Sequence, residues 1–163
     1  MRNLVALLAL LAAPMSAPVA WSATDLHAYW DTRCRECHGD AAAFARSTLR
    51  IEDGRLVGRH HTEGLATFLS NHYLADDLVA PVLQMLQAQA TTAPLFKEKC
   101  AGCHGNAAAF ARESLEMRGG VLIGRTSQRP VRDYLQRHGK LDPGQVAPMV
   151  ATLERVLGEV GGR

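Results

Sequence analysis

Two copies of one unit make up this chain, and that duplication limits its fold more than any composition figure does. The pattern Cys-x-x-Cys-His occurs as Cys34-Arg35-Glu36-Cys37-His38 and again as Cys100-Ala101-Gly102-Cys103-His104, 66 positions later. Gly39-x-Ala41-Ala42-Ala43-Phe44-Ala45-Arg46 returns as Gly105-x-Ala107-Ala108-Ala109-Phe110-Ala111-Arg112. Gly54-x-Leu56-x-Gly58-Arg59 returns as Gly120-x-Leu122-x-Gly124-Arg125, and Phe68-Leu69-x-x-His72 as Tyr134-Leu135-x-x-His138. After a gap of one residue, Val79-Ala80-Pro81 matches Val146-Ala147-Pro148. Similarity at a fixed period sets the architecture. The chain therefore reads as two tandem domains, at 23–90 and 91–163.

The repeated motif uses all four cysteines of the chain. Its spacing reads as covalent c-type haem attachment. Two thiols one helical turn apart can add to the two vinyl groups on one edge of a haem. The histidine that follows is then held beneath the iron as its proximal ligand. Cys34 and Cys37 with His38, and Cys100 and Cys103 with His104, predict two haem c groups. A single zinc held by both pairs would call for roughly 15–20 residues between them. Here Cys37 and Cys100 are a domain apart, and zinc gives no reason for His38 and His104. A thioredoxin-like motif would stand once, in a βαβ pattern that is absent. Structural disulfides likewise make no demand on the two histidines.

The N-terminus reads as a secretory signal over 1–22, with cleavage near 20–23. Arg2 is basic, the apolar run from Leu4 to Ala13 is too short to span a bilayer, and small residues follow Pro14. Haems of this type are attached after export, so leader and motif agree on the bacterial periplasm and on no stable membrane span after cleavage. Loss of Arg2 from the 18 Lys and Arg leaves 17 against 16 Asp and Glu, near neutrality. That balance offers no clustered basic surface for nucleic acid. Domains of this size bury little core of their own. A large apolar haem in each would supply the missing mass.

Each half predicts the same order of elements. A short helix carries Trp30 or Phe96 into the haem motif, with Asp25 as an N-cap and Pro94 at a first helical position. Turns with short extended pieces follow around 54–57 and 119–123. A helix covers about 64–72 and 130–138, and a last helix about 76–89 and 142–160. Residues 90–93 link the halves. Phe96-x-x-x-Cys100-x-x-Cys103-His104 resembles the opening helix of the class I cytochromes c. The chain is thus similar to a dihaem c-type cytochrome, all-α, with two small helical domains each around one covalent haem. That resemblance implies a terminal helix packed across the first. It also implies a loop carrying a distal methionine near proline, which this chain lacks.

The repeat nominates other distal ligands. His72 lies 34 residues after His38, and His138 lies 34 after His104. Met85 matches Thr152, Met117 matches Ile51 and Met149 matches Val82, so no methionine serves both halves. These three read as core filler, although with His60 and His61 they stay open as distal donors. His60 and His61 match Thr126 and Ser127, and His27 matches Ala93. Arg59 and Arg125, kept in both halves, are candidates to pair with a haem propionate. Arg46 and Arg112 invite the same role more weakly, and Phe44 and Phe110 read as haem-edge or core packing.

Two irons closed by two histidines each would pass electrons between a periplasmic donor and acceptor, with no catalytic residue. The alternatives are a haem enzyme or gas sensor with one displaceable distal ligand, or a haem subunit of a larger periplasmic oxidoreductase. The His60-His61 pair makes the first half the better place for the former.

Overall fold

The computed structural model describes residues 24–60 and 64–161. The leader segment and His61 lie outside the described residues.

The first half runs α1 (Leu26–Arg33), α2 (Arg35–His38), α3 (Ala41–Thr48), β1 (Leu49–Glu52), β2 (Arg55–Gly58), α4 (Leu65–Ser70) and α5 (Asp76–Thr91). The second runs α6 (Leu95–Lys99), α7 (Ala101–His104), α8 (Ala107–Ser114), β3 (Leu115–Arg118), β4 (Val121–Gly124), α9 (Val131–Leu135) and α10 (Pro143–Glu159). From α2 to β2 the element bounds recur 66 positions later without a slip. The molecule is mostly helical, with 60% of its described residues in helices, and carries two small antiparallel sheets.

Local chemistry sets these elements. Asp25 caps α1 by accepting from the Ala28 amide at 2.8 Å. Asp40 caps α3 through Ala43 at 2.9 Å, and Asn106 caps α8 through Ala109 at 2.8 Å. Each satisfies an amide that the first helical turn leaves unpaired. Pro94 stands at the cap of α6, one place ahead of the predicted first helical position. β1 pairs with β2 from Leu49 opposite Gly58 to Glu52 opposite Arg55, and β3–β4 repeats that register from Leu115 opposite Gly124. Both hairpins turn through two left-handed residues, Asp53 (φ 48°) and Gly54 (74°), or Gly119 (56°) and Gly120 (78°). Two such residues make the turn that matches strand twist, which is why glycine and aspartate stand there.

The alanine-rich segments after each motif form α3 and α8, helices that the sequence reading left out. Ala45 and Ala111 are fully buried at matched places, where α3 lies on α5 and α8 on α10. Two separate hydrophobic cores result. One gathers Trp30, Ala45, Val82, Met85 and Leu86, and the other Phe96, Ala111, Leu115, Met149 and Leu157. The cores share no residue. Among the described residues no helix is long and apolar enough to cross a membrane.

Candidate functional site

Each cysteine–histidine motif is folded as one tight turn. In the first half α1 ends at Cys34, whose carbonyl accepts from the amides of Cys37 (3.2 Å) and His38 (2.9 Å). In the second, Cys100 accepts from Cys103 (3.1 Å) and His104 (3.0 Å). Gly39 (φ 69°) and Gly105 (67°) then break the helix with a left-handed residue that costs glycine nothing. The indole Nε1 of Trp30, a buried residue, donates to the Gly39 carbonyl at 2.9 Å and pins the turn to the core.

The four thiols are free. Cys34 and Cys100 are half-buried, whereas Cys37 and Cys103 are exposed. Burial pushes the Cys34 and Cys100 thiols above their ordinary value. Redox-active cysteines are marked by the opposite shift.

The turns leave His38 and His104 facing a second histidine. His38 and His72 stand with ring centres 5.9 Å apart and planes at 64°. His104 and His138 stand 5.9 Å apart at 62°. A metal ion bonds an imidazole nitrogen at about 2.0–2.1 Å, so two rings on opposite sides of one ion sit about 6 Å apart, centre to centre. Both pairs have that spacing. Among the described residues no three His, Cys, Asp or Glu side chains gather where they could hold a metal ion. Each pair could supply two nitrogen donors to one metal ion, with the free thiols of the same motif close by.

Matched aromatic rings hold both histidines of each pair. Phe44 meets His38 at 4.8 Å, and Phe110 meets His104 at 4.8 Å. Trp30 packs against Phe44 at 5.4 Å, as Phe96 does against Phe110 at 5.6 Å. On the other side, Phe68 stacks on His72 at 4.8 Å and Tyr134 lies over His138 at 4.6 Å. That role for Phe68 and Tyr134 was not read from the sequence, although the pair stood in the repeat. α4 and α9 present these rings one turn before the histidines. The His72 amide donates to the Leu69 carbonyl at 3.0 Å, and the His138 amide to Leu135 at 3.4 Å.

In the second half the pair opens on an apolar cavity of about 270 Å³ that includes Cys100, His104 and His138, walled by Phe96, Leu115 and Leu153. Met149 also lines it, but from the core, fully buried. Met85 is equally buried in the first core, and Met117 sits half-buried in β3. Arg129 reaches the cavity wall, whereas Arg125 lies 3.8 Å from Glu116 on the hairpin. Arg59 donates to the Ser47 carbonyl at 3.3 Å. Arg129 therefore joins the candidates for an anionic cofactor edge. Its first-half counterpart, residue 63, falls outside the described residues.

His60 is exposed at the end of the first hairpin. His27 makes its contact elsewhere, with Nε2 2.8 Å from Glu159 of the other half. Arg46 donates to the Gln89 carbonyl at 3.3 Å, and Arg112 pairs with Asp25 across the two halves. No family model, curated protein or solved structure matches the chain.

Proposed function

We propose that this chain is a periplasmic dihaem c-type cytochrome whose activity is electron transfer. Cys34 and Cys37, and Cys100 and Cys103, attach one haem in each of two cytochrome-like domains. His38 and His104 are the proximal ligands, and His72 and His138 the distal ones. The observation that carries this reading is the matched pair of histidines, 5.9 Å apart in both halves and beside free thiols.

A bound haem supplies a one-electron iron couple. The residues around it decide what that couple can do. Two imidazoles per iron would leave no position for a substrate, so the role that remains is electron exchange with partner proteins. A second histidine, in place of the family's methionine, sets a lower potential within a range of about 0.8 V. Phe44 and Phe68, with Phe110 and Tyr134, pack against the imidazoles and fix their planes. Arg129 balances charge at the rim of the second site. Donor and acceptor are redox proteins of the same compartment, which the signal-like leader makes the periplasm.

Spectroscopy of the ferric holoprotein tests this. The expected wild-type spectrum is low-spin and lacks a methionine–iron band, and His72→Ala and His138→Ala each open one haem to carbon monoxide. A methionine–iron band, or rapid stoichiometric binding of carbon monoxide to the wild-type reduced protein, overturns the assignment.

A further inference from the structure

The two halves meet across a cleft of about 460 Å³. Its walls match repeat with repeat: Trp30 with Phe96, Arg35 with Ala101, and Asp40 with Asn106. Each patch thus faces its own counterpart. Such an isologous contact belongs to two-fold symmetry, in which every contact of i with j returns as j with i.

Two polar contacts bear this out, the His27–Glu159 hydrogen bond and the Asp25–Arg112 ion pair. Thr92 and Ala93 are chain neighbours where α5 hands over to α6. Their repeat mates are Glu159 and His27, and these meet at 2.8 Å with side chains 10% and 14% exposed. A copy merely translated along an axis would leave those two ends apart; a two-fold rotation brings them together. The Asp25–Arg112 pair obeys the same rule. Arg46, the mate of Arg112, reaches the Gln89 carbonyl, two residues from Thr91, the mate of Asp25. The linker joins one side, and these polar contacts span the other.

We propose that Asp25–Arg112 and His27–Glu159 form a latch that holds the halves about a two-fold axis and makes the cleft the internal electron path. The inference rests on the dihaem reading above. Trp30 lies 6.1 Å from the His38 ring and lines the cleft. Phe96 lines both the cleft and the cavity of His104 and His138. Each of these two buried rings thus stands on a wall of the cleft and connects by ring contacts to the first histidine of its own pair, Trp30 directly and Phe96 through Phe110. The step is balanced: one iron loses the electron that the other gains, and no bond or proton moves. Asp25, Arg112, His27 and Glu159 are positioning residues.

Flash photoreduction of the holoprotein to the one-electron level reads the exchange between haems. The expected result is a fast phase in the wild type that is lost in the Asp25→Asn/Glu159→Gln double variant. In its place comes a phase gated by reclosure, on the microsecond-to-millisecond scale of domain motion. Small-angle scattering should show a larger radius of gyration, while the absorption of each haem stays unchanged. If the double variant does not fold, Glu159→Gln alone carries the test, since the Asp25 cap on α1 is intact. A fast phase that survives loss of the latch overturns this inference and leaves the dihaem reading standing. Wild-type haems that are not six-coordinate with two histidines overturn the reading beneath it.

Discussion

The two halves repeat one site to within a few tenths of an ångström, yet they reach it by different local means. The histidine pairs are the same, and so are the phenylalanines beneath them. The first half holds its attachment turn with Trp30, whose indole bonds the Gly39 carbonyl; the second uses Phe96, which has no such donor. Past the distal histidine the contrast reverses. His72 is followed by Tyr73 in a left-handed conformation (φ 60°), with its side chain 94% exposed. His138 is followed by Gly139 (φ 83°), then by the inserted Lys140 (φ 50°), which carries that half's strain one residue further away. What both halves keep is what a shared site requires, and where they part shows which supports are interchangeable.

The largest expected effect breaks the comparison at its first difference. Trp30→Ala and Phe96→Ala each remove a large ring from a buried cluster, a change that costs about 3–5 kcal/mol. Trp30→Ala should stand at the upper end, because it also strips the Gly39 carbonyl of its donor, worth about 1 kcal/mol. Denaturant unfolding of the two variants, read by tryptophan-independent far-ultraviolet circular dichroism, checks the order. Equal costs would show that the indole bond adds nothing to packing.

A smaller effect separates the distal loops. In Gly139→Ala the new Cβ meets only Leu141 Cγ, at 3.8 Å, so the left-handed backbone is the whole penalty. It should cost about 1–2 kcal/mol. Tyr73→Gly relieves the same penalty, but glycine gives back about 0.5–1 kcal/mol in unfolded-chain entropy. Its net gain should stay below about 1 kcal/mol. Unfolding midpoints of the two variants should therefore move in opposite directions. If Tyr73→Gly destabilises, the edge contact of the Tyr73 ring with His72, 5.5 Å between centres, outweighs the strain.

Much of this was legible because duplication turns one sequence into two readings. His72 and His138 stood out only as a pair, each 34 residues past its proximal histidine, and folding brings each onto that histidine's ring. The last helix of each half and the two turns also stood out from spacing and glycine. α3 and α8 did not, although Ala41, Phe44 and Ala45 recur at helical spacing, because the run of alanines puts the same small residue on both faces and blurs that stripe. Their signal was the capping pair Asp40 and Asn106. The placement of Arg129 was hidden for another reason, since its first-half mate is Glu63 and the repeat test rewards identity. The polar contacts between halves were beyond reach altogether. His27 and Glu159 are 132 residues apart, Asp25 and Arg112 are 87 apart, and none of these contacts repeats a like pair of charges. Only the placement of one half on the other creates them.

The smallest effect belongs to that interface and depends on pH. Burial pushes the Asp25 carboxyl up, but the Arg112 guanidinium, the Ala28 amide and the nearby His27 outweigh it and hold the group below its ordinary 3.8. A carboxyl lowered in the folded state adds stability above its unfolded value and loses it as pH falls through the folded one. Asp25→Asn keeps an N-cap and removes the charge, so near neutral pH it should cost no more than about 1 kcal/mol at this partly exposed pair. Asp25→Ala removes the cap as well and should cost about 1 kcal/mol more. Asp40→Ala, a cap with no arginine on it, supplies the comparison within the same half. As pH drops below 3.8, the gap between wild type and Asp25→Asn should close, while the extra cost of Asp25→Ala shrinks less, because a protonated cap still accepts from Ala28. A gap that persists at low pH would mean that the carboxylate is not what Arg112 holds, and would place the stabilising effect in the cap alone.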